Sequence, residues 1–356
     1  RVQASVSSDG ALERGIVPRG FRFSGASYDG RLVINGQDVG LDGEAKAKSM
    51  QFQGESFANL VARVGLSDSR LSVTGGTGSW TGVPFKAAAL ADLSKQTIVG
   101  GLEAGSVPLG LLAKRAGFDG LSGSAGVKAV LRGTLERPIL LAYAEGRADY
   151  APKGSESLNL GRFQVQFKSE TERIRIDRLF VDGPVGTFVA HGALDAKGAE
   201  ILVRAGGLPL SLIDPDLDGT GSFAGVLRGS PDRPRFEGMV EAVAVDYRGR
   251  SVAQAQARLS VDAERVQVDE FWALTGSGIA EAGGSLDLRT RRIEGEFQVR
   301  DLLMGHWAGP NIVGPANLEH GRVSGSLDDP VVTAKLTSQQ AFVFGTPVER
   351  TSDSPV

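Results

Sequence analysis

The sequence predicts an all-β protein: an elongated, repetitive antiparallel β-sheet that curls into a U-shaped groove. Three observations predict it. A short glycine–proline motif recurs at a fixed interval, apolar and polar residues alternate along many segments, and glycine reaches 49 of 356 residues while aromatic residues make up only 6%. Glycine at roughly twice its usual frequency, without the strict third-residue spacing of collagen, indicates many tight turns and bends.

The recurring motif, which we call the hook, places a glycine five residues before a proline. It occurs as Gly133 with Pro138, Gly229 with Pro234, and Gly325 with Pro330, each pair 96 residues after the previous one. Separately, residues 52–112 align without a gap on residues 247–307 and match at 13 of 61 positions. A fixed period indicates an array in which each unit relies on its neighbours to cover its apolar face.

This period of about 96 residues predicts about four units along the chain. The predicted segments are a lead-in at 1–20, β repeat unit 1 at 21–117, unit 2 at 118–214, unit 3 at 215–311 and a partial unit 4 at 312–356.

Alternation is clearest in the second unit. Phe163, Val165 and Phe167 alternate with polar residues, and Ile174 and Ile176 alternate with charged ones. A period of two puts the apolar set on one face of a strand and the polar set on the other. Each such strand is therefore expected to have one buried face and one face exposed to solvent.

The third unit repeats this plan. Its predicted apolar positions are Leu259, Val261, Val266, Val268, Leu286, Leu288, Phe297 and Val299. Together with the five positions of the second unit, they form the predicted lining of one apolar face. Hairpin-forming sequences separate the strands, so the chain is expected to meander antiparallel.

Three short apolar segments interrupt the strands, at 108–112, 209–213 and 301–307. Each is expected to form one helical turn or a plug. Two roles remain open for them: a local cap over the sheet edge, or a gate that contacts a ligand.

The sequence offers no constellation for catalysis or for a cofactor. Cysteine is absent, and His191, His306 and His320 are far apart, so neither a zinc site nor a histidine-based site is expected. The acidic segment 214–219 resembles the first half of a calcium loop but lacks its closing glutamate, so an acidic turn is expected instead. A net charge of −3 gives no general field for nucleic acid. We therefore expect a protein that is not an enzyme, has no cofactor or metal, and binds no nucleic acid.

Membrane contact is not expected through a spanning helix of this chain. No run of 18 or more apolar residues occurs, and the sequence starts at Arg1 without an apolar leader. The chain is expected to be a fragment or a processed piece, with any membrane anchor outside it.

A long sheet with one apolar face must cover that face with a second sheet, a helix layer, itself, or something other than protein. Small and medium aliphatic residues, few aromatics and little helical periodicity favour a trough that suits hydrocarbon chains. The alternative is a structural or adhesive β-repeat protein with a closed core, whose outer face binds a protein or a polysaccharide.

The hook at 227–234 (Leu-Arg-Gly-Ser-Pro-Asp-Arg-Pro), the hairpins at 192–195 and 284–287, and the closing Leu-Pro-Leu segment carry a family resemblance. They resemble the repeats of the TamB and AsmA-like proteins over about 20–345, most clearly over 118–335. The resemblance implies a U-shaped, twisted β-groove (a β-taco) in the periplasm, in a parent protein anchored in the inner membrane. It also implies transport of phospholipid toward an outer-membrane β-barrel partner of the TamA type, and a role in outer-membrane biogenesis and protein assembly.

Overall fold

The computed structural model describes residues 2–6, 21–35, 38–52, 54–115, 119–151, 156–170, 173–196, 198–230, 233–275, 278–303, 305, 312–338, 341–343 and 346–348. Nearly all of these residues are in β-strands. The helical elements with described bounds are α1 (Leu109–Arg115) and a 3₁₀ turn (Leu210–Leu212). The chain divides into two compact units, Arg1–Val181 and Asp182–Val356.

The first unit is an antiparallel meander of long strands. Its strands are β1 (Val2–Val6), β2 (Phe21–Ser24), β3 (Ala26–Asn35), β4 (Asp38–Phe52), β5 (Glu55–Ser67), β6 (Arg70–Trp80), β7 (Val83–Asp92), β8 (Thr97–Pro108), β9 (Leu121–Thr134), β10 (Pro138–Tyr150), β11 (Leu158–Ser169) and most of β12 (Arg173–Gly183). From β3 to β11 each strand pairs with the next one along the chain. In addition, β1 pairs with β3 and β2 with β4.

The second unit has the same plan. Its strands are β13 (Gly186–Asp195), β14 (Gly198–Pro209), β15 (Leu217–Ser230), β16 (Arg233–Tyr247), β17 (Arg250–Val261), β18 (Arg265–Thr275), β19 (Ile279–Asp287), β20 (Arg292–Leu303), β21 (Ile312–Val313), β22 (Pro315–Ser326), β23 (Asp329–Thr337), β24 (Ala341–Val343) and β25 (Thr346–Val348). Consecutive strands pair from β13 to β20, and β22 then links β20 to β23. Strands β21, β24 and β25 form a separate small sheet. The predicted all-β antiparallel meander is confirmed.

Backbone bulges interrupt the pairing near the middle of many strands. In the first unit the register shifts between Val73 and Gly76 of β6 and between Ala104 and Val107 of β8. In the second unit it shifts between Ala205 and Leu208 of β14, among other places. A bulge adds a residue to one strand, bends that strand and increases its twist. Both meanders are therefore built from bent strands.

The hook glycines share one local geometry. Gly133, Gly229 and Gly325 have φ angles of +119°, +100° and +107°, in the region that residues with a Cβ rarely adopt. Each pairs with the proline of its own hook, at or near the start of the following strand. Proline is tolerated at the start of a strand because little of the ladder needs its missing N–H there. The hook is thus a hairpin turn.

Aspartates close two of the hairpin turns in the second unit. The Asp262 carboxylate accepts hydrogen bonds of 2.8 Å from the backbone N–H groups of Glu264 and Arg265. The Asp287 carboxylate accepts one of 2.7 Å from the Thr290 N–H. These bonds favour the charged form and hold the pKa of both carboxyls below its usual value.

Stability is therefore expected to depend on these two carboxyls at low pH. A lowered pKa in the folded chain stabilises the fold above the ordinary value of about 3.9, and that contribution is lost as the pH falls through the folded pKa. The urea concentration at the midpoint of unfolding should therefore decrease as the pH is lowered below about 4. In the double variant Asp262→Asn, Asp287→Asn, the amide oxygens still accept the bonds but do not titrate, so the decline should be smaller. Equal declines in the two proteins would contradict this assignment.

Candidate functional site

Each unit has a face with almost no charged side chains, which we call the uncharged face. Directly opposed residues in an antiparallel pair project to the same side of the sheet, so the register assigns the faces. Phe163 lies opposite Gly146, which lies opposite Ala125, and Leu259 lies opposite Val268. From β6 to β11, and from β13 to β22, the in-register positions of this face are uncharged except at Arg250, which lies opposite Tyr247 at the start of β17; nearly all the others hold an apolar residue or glycine.

Most of the predicted lining residues lie on the uncharged face. They are Phe163, Val165 and Phe167 in the first unit, and Leu259, Val261, Val266, Val268, Leu286, Phe297 and Val299 in the second. Ile174 and Ile176 lie two residues apart on β12, so they share one side of that strand. Leu288 differs, because β19 ends at Asp287 and Leu288 is an exposed residue of the following turn.

The uncharged face is also the more sheltered one, and residue type does not explain this. On β7, Leu90 of the opposite face is 47% exposed while its neighbour Ala91 of the uncharged face is 7% exposed. On β14, Leu202 is 44% exposed and its neighbour Val203 is 8% exposed. The two sides of each sheet therefore offer different environments to side chains of similar character.

Phenylalanine rings lie close over glycines on the uncharged face. A Cβ placed on Gly238 would come within 2.7 Å of the Phe236 ring, and one placed on Gly225 would come equally close to it. A Cβ placed on Gly321 would lie 2.6 Å from the Phe297 ring. The absence of a side chain lets each ring lie low against the sheet, which is one physical reason for the high glycine content.

Two of the three predicted apolar closing segments are helical, as expected. Helix α1 puts Leu109 into a buried cluster with Ala125, Ala144 and Phe163, so it covers part of the uncharged face of the first unit. In the second unit Leu210 of the 3₁₀ turn is buried and packs against β15. The third segment is different: Leu302 and Leu303 complete strand β20, while residues 306–311 lie outside the described residues.

The opposite face carries ion pairs between neighbouring strands. Arg63 donates two hydrogen bonds to Asp42, and this pair holds the pKa of Asp42 below its usual value. Arg228 contacts carboxylates on both flanking strands, at 3.3 and 3.0 Å. Exposed pairs of this kind contribute little to stability, so they mainly keep this face wet. It is not wholly polar, since Leu90 and Val99 are exposed on it.

No protein-family model, curated protein or solved structure matches this chain. Among the described residues no three potential metal ligands come together, and no helix has the length and apolar character needed to cross a bilayer. The acidic segment begins with a turn at 214–216, where Asp214 accepts the Asp216 N–H and Asp216 pairs with Arg248, and residues 217–219 start strand β15. The uncharged face is therefore the candidate site that the geometry singles out.

Proposed function

We propose that the uncharged face binds the acyl chains of phospholipids and that this chain is a segment of a bridge-like lipid transport protein. The observation that carries the proposal is the difference between the faces: one side of each sheet is nearly free of charge and sheltered, and the other is charged and exposed to water. Phospholipid has the same division between its tails and its head group.

The energetics favour tails over water on this face. Each methylene group that leaves water contributes about 0.8 kcal/mol, so a bound acyl chain is held along its length without any specific contact. Head groups stay in water at the open side. Because rows of similar apolar residues repeat from strand to strand, neighbouring positions offer nearly equal binding free energy, and lipid can slide between them.

The proposal includes a U-shaped curl of the sheet and about four repeat units with a period near 96 residues. Bulges and glycines supply the bends that a trough requires. The shelter of Ala91 and Val203 supports a curl toward the uncharged face, because side chains converge on the inner side of a bend. The common geometry of Gly133, Gly229 and Gly325 supports the period.

The setting that we propose follows from the resemblance to the TamB and AsmA-like proteins. In it the chain lies in the periplasm, its parent protein is anchored in the inner membrane, and an outer-membrane partner of the TamA type receives the lipid. The chain then acts by binding rather than by catalysis and supports outer-membrane biogenesis.

A closed apolar core is the competing architecture, and one observation counts against it. Two packed sheets bury the large side chains at the centre of their interface completely. Among the described residues, no large side chain is more than 98% buried. The side chains of the uncharged face thus lack the full enclosure of a sandwich core.

Lipid extraction and native mass spectrometry of the purified chain test the proposal. We expect phospholipid to co-purify, and a delipidated sample to take it up again from vesicles of phosphatidylethanolamine and phosphatidylglycerol. A chain that carries no phospholipid and acquires none from such vesicles would rule out the transport function.

A further inference from the structure

A cleft opens in the second unit, lined mainly by residues of the charged face; Phe271, Ala282, Phe297 and Gly321 of the uncharged face also contribute to its lining. Its volume is about 720 Å³, within the range of small-molecule sites. It is lined from β16 to β22, six strands that cover about 24 Å at the usual strand spacing. A twisted sheet is saddle-shaped, so it can be hollow toward either face.

Two rows of side chains form the cleft. In the first row Gln256, Trp272, Glu281 and Gln298 lie directly opposite one another on four consecutive strands. In the second row Arg258 lies opposite Glu270, and Glu296 lies opposite Arg322. An indole is thus flanked by an amide and a carboxylate, with guanidinium groups in the next row.

Most of the charge in the cleft is already paired within the protein. Arg258 lies 3.5 Å from Glu270 and Arg322 lies 3.6 Å from Glu296. Glu281 accepts hydrogen bonds from Gln298 and Arg300. Asp269 also lines the cleft, so the three arginines Arg258, Arg300 and Arg322 face four carboxylates and the net charge is −1. Many donors and acceptors with so small a net charge suit hydroxyl groups better than a strongly charged ligand.

Trp272 and Gln256 add unused hydrogen-bonding capacity. Among the described residues, neither the Trp272 indole N–H nor the Gln256 amide has a hydrogen-bond partner. In the same part of the chain no buried side-chain nitrogen or oxygen lacks a partner, so both groups reach the solvent of the cleft. An aromatic surface with a free N–H beside it can stack on an apolar ring face and bind the hydroxyl groups at its edge.

We infer that the cleft binds a neutral oligosaccharide, with a sugar ring on Trp272 and its hydroxyl groups bound to Gln256, Glu281 and the adjacent ion pairs. The length across six strands suits a linear chain of several rings. The inference does not depend on lipid transport, because Gln256, Trp272 and Glu281 belong to the face opposite to the proposed lipid-lining side chains.

Isothermal titration calorimetry of the full chain with cellohexaose, maltohexaose and chitohexaose tests the inference. We expect saturable binding of at least one of them, and Trp272→Ala should weaken it by about tenfold or more while Trp272→Phe retains most of it. Gln256→Ala, a smaller change to the fold, should weaken binding as well. Trp80→Ala, in the first unit, should leave it unchanged.

Three results would overturn the inference. They are no saturable binding of any of the three sugars, binding that Trp272→Ala and Gln256→Ala leave unchanged, and saturable binding of hexalysine in place of the sugars. Circular dichroism and the midpoint of urea unfolding show whether each variant is folded. If Trp272→Ala does not fold, the result for Gln256→Ala decides the test.

Discussion

Val268→Arg is expected to remove phospholipid from the second unit, with labelling by a diazirine phospholipid around strands β17–β19 falling about tenfold or more. Val268 lies on the uncharged face, opposite Leu259 on β17 and Gly284 on β19. A guanidinium among acyl chains must either lose its hydration shell or bring water onto the uncharged face, and both outcomes weaken the binding of the acyl chains. Mass spectrometry of the labelled peptides measures the effect.

The matched control is Gln267→Arg, which places the same charge one residue away on the opposite face of the same strand. Gln267 and Val268 are both half-buried, so the two variants differ mainly in the face that receives the charge. Labelling should stay at the wild-type level in the control. A second pair, Val165→Asp and Gln164→Asp, repeats the comparison in the first unit. Equal labelling of the two members of both pairs would show that the uncharged face does not carry lipid.

Gly238→Val is expected to destabilise the second unit by about 2–3 kcal/mol, although valine is a better strand former than glycine. A Cβ at this position would lie 2.3 Å from the Ala224 carbonyl oxygen, and 2.7 Å from both the Gly225 Cα and the Phe236 ring. The backbone of β15 and the Phe236 ring must therefore both shift, and the ring loses its edge-on packing against Phe223, where the centroids lie 5.9 Å apart. Urea unfolding followed by fluorescence and circular dichroism measures the loss.

Gly101→Val provides the control, because a Cβ added to this strand glycine would have only one close neighbour, the Ala129 carbonyl oxygen at 3.9 Å. Its unfolding midpoint should be unchanged or higher. Combining Gly238→Val with Phe236→Ala should cost less than the sum of the two single changes, since the smaller side chain removes the contact with the ring, although the contacts with the β15 backbone remain. An unchanged midpoint for Gly238→Val alone would mean that the ring does not depend on the glycine.

The alternating pattern was sufficient to predict the strands and most of one face. Phe163, Val165 and Phe167 fall on one side of β11 because nothing interrupts the period of two there. On β18 the alternation of Val266 and Val268 resumes at Phe271 rather than at residue 270, and the register shifts at the same place. That irregular spacing was the available signal for a bulge, and the sequence prediction did not use it.

Features that depend on register were beyond sequence reasoning. The pairing of Phe297 with Gly321 joins residues on two strands, and the cleft joins Gln256, Trp272 and Glu281 from three. The spacing of Trp272 within the repeat gave no indication of these neighbours. Leu288 continues the alternation of β19, which predicts a lining position, but β19 ends at Asp287, whose carboxylate accepts the Thr290 N–H and closes the turn that contains Leu288.

Pairing between successive strands has a consequence for how such a protein can change in length. Within each meander, most strands touch only the strand before and the strand after, so no distant segment depends on the total number of strands. Gain or loss of a hairpin preserves the direction of every later strand and leaves each turn at its own edge. Gain or loss of a single strand would reverse all later strands and move their turns to the other edge. Lengthening and shortening by evolution should therefore proceed in steps of two strands.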